Sequence, residues 1–137
     1  IWFAKGKVFV MRDTATLKTE QDLTWLLHTT FKTETAAESF QIIGDNALLD
    51  VTFINDSKAD ILSIENVEGF GEVDPSEYAD LEVHRHVEAK FKAKKEHNIL
   101  TLLVPSKING PKTDVSYKLT GNSLELTIDG EVVNIEL

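Results

Sequence analysis

Alternation of apolar and polar residues dominates this chain. Residues 7–13, 22–31, 39–44, 47–55, 81–94, 98–105, 114–120, 123–128 and 131–137 are runs rich in β-branched, leucine or aromatic residues, bounded by turn formers. A period of two sends successive side chains to opposite faces of a strand, so these runs predict strands and no long helix. Asp129-Gly130 separates the last two runs, and glycine tolerates the positive φ that a type I′ turn demands. A closing hairpin follows, with Leu124, Leu126 and Ile128 on one face. Short connections without helical crossovers imply antiparallel pairing, and one apolar face per strand needs a second layer to cover it. The fold class read from the sequence is therefore all-β, an antiparallel β-sandwich of two layered sheets with about nine to twelve strands.

One stretch departs from the pattern. Residues 64–80, "IENVEGFGEVDPSEYAD", are rich in Glu, Asp and Gly, and read as a long surface loop with one helical turn begun at Asp74-Pro75. Its acidic spacing does not match a calcium loop. Phe70 and Tyr78 in this loop are the aromatics best placed to meet a ligand such as a sugar ring.

Two strands carry the residues of greatest chemical interest. In "DLTWLLHTTF", Leu23, Trp25, Leu27, Thr29 and Phe31 form one alternate set, read as the buried face, and His28 falls on the other. Trp25 is assigned to the core. His28 is a catalytic group, a ligand, or a structural histidine held between layers. In 81–94, Leu81, Val83, Val87, Ala89, Phe91 and Ala93 share one face with Arg85, while Glu82, His84, His86, Glu88, Lys90, Lys92 and Lys94 share the other. A guanidinium on an apolar face needs a carboxylate or carbonyls, because an unpaired buried charge costs several kcal/mol. Arg85 is accordingly read as paired and partly buried, or as facing a ligand or neighbouring domain. His84 and His86 have a spacing that suits two imidazoles on one metal. A third ligand would have to come from His28, His97, Glu82 or Glu88, so no metal site is assigned, and no cofactor is implied. No phosphate loop, G-x-S-x-G elbow or H-E-x-x-H motif is present.

Composition narrows the picture. At 137 residues the chain is expected to form one domain, 1–137. Its 14 Lys plus Arg against 23 Asp plus Glu give a net charge of -9 and oppose nucleic-acid binding. The same sign argues against this chain being the main grip on a polyanionic sugar, although a local basic patch can still contribute. No apolar run reaches the roughly 18 to 20 residues of a membrane helix, so no membrane insertion is expected. Zero cysteines exclude disulfides without fixing a compartment. An opening on Ile1 and "IWFA" suggests a fragment of a longer polypeptide.

Several segments, in order, resemble the C-terminal β-sheet region of the heparinase II/III-like polysaccharide lyases. "IWFAKGKVFVMRDTATL" is similar to that family's aromatic-rich strand followed by a "vivmRD"-like strand ending in Asp13. "LTWLLHT" is similar to its Trp-x-x-His strand, "ALLDVTFIND" to the strand after it, and "HNILTLLVPSK" to its late strand. The resemblance implies a bacterial enzyme, periplasmic or secreted, whose upstream α/α toroid supplies the Asn or His and Tyr that abstract a proton beside a uronic acid carboxylate. None of His28, His84, His86 or His97 stands in the family's catalytic histidine context, so no catalytic residue carries over, and His28 takes the structural role. The expected function is a non-catalytic C-terminal domain that supports the toroid and helps wall a cleft for an acidic polysaccharide such as a glycosaminoglycan. This chain alone is expected to be inactive. The alternatives are a free-standing carbohydrate-binding module and an immunoglobulin-like adhesion or assembly domain.

Overall fold

The computed structural model describes residues 1–54, 60–68 and 85–137. Every element among them is a strand: β1 (Trp2–Ala4), β2 (Val8–Thr29), β3 (Lys32–Thr35), β4 (Ser39–Ile43), β5 (Ala47–Ile54), β6 (Ile61–Glu68), β7 (Arg85–Lys107), β8 (Val115–Thr120), β9 (Ser123–Ile128) and β10 (Glu131–Glu136). Seven form one antiparallel sheet in the order β1-β2-β7-β5-β4-β3, with β6 also on β7, and three form a second sheet, β10-β9-β8. The chain is an antiparallel β-sandwich.

The closing hairpin forms as its turn chemistry requires. Ile128 pairs with Glu131, and Asp129 and Gly130 have φ of 50° and 83°, positive at both central positions as in a type I′ turn. Leu124, Leu126 and Ile128 are buried. They pack against Val8, Val10, Ile54, Leu100 and Leu102 of the larger sheet, which is the layering that the alternation predicts.

The larger sheet is longer and more bent than alternation alone suggests. Runs 7–13 and 22–31 are parts of one 22-residue strand, and 98–105 continues the strand that holds 85–94. The polar bridge 14–21, rich in threonine, stays in strand conformation. Asp13 and Trp25, twelve positions apart, would lie roughly 40 Å apart on a straight strand. Instead Trp25 Nε1 donates to Asp13 Oδ2 at 3.1 Å. β2 must therefore double over between them, and the register shifts from Thr16 to Gln21 and from Gln21 to Leu23 mark where. β7 bends with it, because the two pair along both halves.

Doubling over creates a second core on the other face of the same sheet. Leu23, Trp25 and Leu27 of the far half of β2, with Val87, Ala89 and Phe91 of β7, close over Phe40, Val51, Phe53 and Ile99. Neighbours Phe53 and Ile54 thus serve different cores, and β5 is buried on both sides. At the open edges β6 reaches β3: Thr33 Oγ1 bonds Asn66 Oδ1, and Asn66 Nδ2 donates to the Thr33 carbonyl at 2.9 Å.

The reading of 64–80 as loop is corrected at its start, where 64–68 belong to β6. A register shift between Ile61 and Ser63 places Ile61 and Ile64, three apart, against the same core, so strict alternation does not reveal the strand. Residues 69–80, with the helical turn expected at Asp74-Pro75, lie outside the described residues.

Candidate functional site

Arg85 stands where its face assignment requires. It opens β7 opposite Thr29, is half-buried, and its Nη1 donates to the Thr30 carbonyl at 3.4 Å. A carbonyl acceptor lets the guanidinium sit at the rim of an apolar face without an unpaired buried charge. Phe70 and Tyr78, the other candidate ligand contacts, lie outside the described residues, as do His84 and Glu82.

Trp25 packs at the margin of the inner core, its ring 5.4 Å from Phe53 in an edge-on arrangement and 6.0 Å from Phe40. Its indole N–H goes to Asp13, so it fastens the folded half of β2 as well as filling space.

The histidines differ from expectation in their placement. His28 is exposed on the outer face of the doubled-over arm instead of lying between layers. It pairs directly across from His86, with ring centroids 5.3 Å apart. Among the described residues the buried histidine is His97, 6% exposed, whose Nε2 lies 3.2 Å from the Gln21 carbonyl. A carbonyl accepts only, so Nε2 carries the proton and the ring pins the bend of β2. Beside His28, a polar network crosses the arm: His86 Nε2 to Glu88 Oε1 at 3.2 Å, and Lys90 Nζ to Glu65 Oε2 at 3.3 Å. Bonds from Ser63 and then Lys90 hold the Glu65 carboxyl below its ordinary range, and Glu65 raises Lys90. Among the described residues no group of three or more His, Asp or Glu is arranged to hold a metal ion.

Two surface features remain. On the sheet face that also bears Phe53, but outside the inner core, Phe3 and Phe9 stack at 4.3 Å with planes 13° apart. Both are exposed, Phe3 by 59% and Phe9 by 36%. At one end of the sandwich a cleft of about 730 Å³ lies among Lys7, Ala47, Pro105, Lys107, Pro111 and Lys112. Lys7 lies about a hundred residues from Lys107 and Lys112 in sequence, and no local motif announces the three together.

Lys7 is tied down across this cleft by Asp129, and Lys5 by Glu131 at 2.7 Å, so the β1–β2 turn is linked to the β9–β10 turn. The Asp129 carboxyl is held below its usual value first by Lys7 and then by the Asp114 N–H. Lys7 is raised above its ordinary value by the same partner. A depressed carboxyl contributes stability above its unfolded value and loses it as pH falls through the folded value. A raised lysine contributes below its unfolded value, and that part is lost only in strong alkali. Asp129→Asn should thus flatten the acid limb of a thermal-midpoint curve below about pH 4, while asparagine keeps the left-handed turn. The change should be small, as the pair is half-exposed. An acid limb identical to the parent's would show that the pair contributes nothing.

No family model matches this chain, and no curated protein is significantly similar to it.

Proposed function

We propose that this chain is a non-catalytic β-sandwich domain of a heparinase II/III-like polysaccharide lyase, supporting an upstream toroid and helping to wall the cleft for an acidic polysaccharide. The observation that carries the support role is the exposed Phe3–Phe9 stack, which continues the apolar face of the large sheet beyond the part covered by its own folded arm. An exposed stacked aromatic pair on a sheet face suits burial against another domain better than contact with water. The lyase assignment rests on the sequence resemblance, and periplasmic or secreted placement follows from it.

β-Elimination from a uronide needs a base for the C5 proton, an acid for the leaving oxygen, and donors to neutralise the carboxylate as charge develops. In this chain His97 is committed to the bend, His86 to Glu88, and Tyr117 lies in the smaller sheet. The isolated chain should release no unsaturated uronate, read by ultraviolet absorbance, from heparan sulfate, alginate, hyaluronan or chondroitin. Robust product that disappears in His28→Ala would overturn the reading. A free-standing carbohydrate-binding module is the second reading, favoured by the same stack: neutral glycans that protect Phe3 and Phe9 from solvent would support it instead.

A further inference from the structure

The cleft at the end of the sandwich has a chemistry at odds with the rest of the surface. In a chain of net charge -9, Lys107 and Lys112 both line it, and neither has an acidic partner among the described residues. The rest of the lining is aliphatic at Ala47, Pro105 and Pro111 and polar at Ser106, Thr113 and the Lys7–Asp129 pair, whose charges offset each other. A volume of about 730 Å³ falls in the range of small-molecule sites. In the same wall Ser106 Oγ is enclosed with no hydrogen-bond partner among the described residues, an unmatched polar atom next to Lys107. The cleft is therefore shaped for something with an apolar face and negative charge. An extended peptide is a poor fit, since Pro105 and Pro111 bring no N–H with which to pair a strand. A sugar ring offers C–H faces for the aliphatic walls and hydroxyls for the ammonium groups, and an acidic one adds the charge.

We propose that this cleft binds a short acidic oligosaccharide, with Lys107 and Lys112 taking its carboxylate or sulfate groups. The inference deepens the proposed role by naming where this chain meets the polyanion, and rests on that reading for the choice of a sugar. Lys7 contributes less, because Asp129 already neutralises it. Lysine suits this task as a point charge on a flexible stem, tolerant of carboxylate or sulfate alike. Binding should weaken steeply with added salt, as expected of exposed charges.

The test is an amide-shift titration of the whole chain with three tetrasaccharides: one from alginate, carrying carboxylates, one from heparin, carrying sulfates as well, and neutral cellotetraose. The acidic probes should shift amides around 105–113, and cellotetraose should not. Lys107→Gln with Lys112→Gln should weaken the acidic probes by about tenfold or more. Lys18→Gln, an exposed change on β2, should leave them unaffected. An unshifted spectrum of the parent, shifts centred elsewhere, or equal binding of cellotetraose would each overturn the assignment, as would full affinity in a double variant whose spectrum shows it folded. Ultraviolet absorbance of the same samples keeps the two readings apart. Unsaturated product would sink the support role, whereas loss of binding without product would sink the cleft alone.

Discussion

Phe53→Ala should lower the unfolding free energy by about 3–5 kcal/mol, read as a fall in the urea midpoint at unchanged slope. Phe53 is fully buried and is the hub of the inner core, with Phe91 edge-on at 5.3 Å, Trp25 at 5.4 Å and Phe40 at 6.4 Å. Removing the ring takes away a contact from each of these aromatics at once. The surrounding strands cannot close the hole readily, because β5 is pinned on its other side by Ile54 in the second core. Against a total stability of about 5–15 kcal/mol, such a loss leaves the fold near its limit. Phe53→Leu, which retains most of the volume, should cost much less. A loss below about 1 kcal/mol for the alanine variant would mean that the arm of β2 and β7 does not pack on β5 as described.

Leu126→Ala should be the second severe change, at about 2–5 kcal/mol. Leu126 is fully buried in the middle of the small sheet, between Tyr117 on β8 and Val133 on β10, and belongs to the core that joins the sheets. Its loss weakens the only apolar layer that holds β8–β10 to the large sheet among the described residues, since the Lys5–Glu131 and Lys7–Asp129 pairs at the rim are exposed and contribute little. Combining Leu126→Ala with Phe53→Ala separates the two cores. They lie on opposite faces of one sheet, so the costs should add to within a few tenths of a kcal/mol. A coupling above about 1 kcal/mol would show that the central strands transmit strain from one face to the other.

Local chemistry was the legible part of this fold. Asp129-Gly130 specifies its own turn through backbone preference, and the faces of 123–128 follow by counting in twos. Arg85 was placed by the same count, because a charge among apolar alternates must find carbonyls or carboxylates at the rim. What alternation cannot show is which half of a long strand turns back on the other. The bend in β2 rests on register shifts near Gln21 and on the Asp13–Trp25 bond, neither of which alters composition. For the same reason His28, read as lying between layers, is exposed, whereas His97, which was given no structural role, is buried at the bend. Their positions on strand faces were readable, but whether a face meets water or another layer depends on the bend. β6 escaped because its bulge spaces Ile61 and Ile64 by three. Lys7, Lys107 and Lys112 meet only in the finished sandwich, so no sequence window contains their cleft.

The pairing of β2 with β7 also sets the order in which the chain can fold. The strands β8 to β10 are neighbours in sequence and can pair as soon as they are made. The far half of β2, by contrast, must wait for residues 85–94, and its near half for residues up to 103. During ribosomal synthesis that interval is on the order of ten seconds. Through it, Leu23, Trp25 and Leu27 have no partner strand and no core to enter. Contacts so distant in sequence also make closure of the large sheet intrinsically slow once the chain is complete. The nascent protein thus exposes a sticky, aromatic β-segment through much of its synthesis, and this is the segment on which a holding chaperone would act.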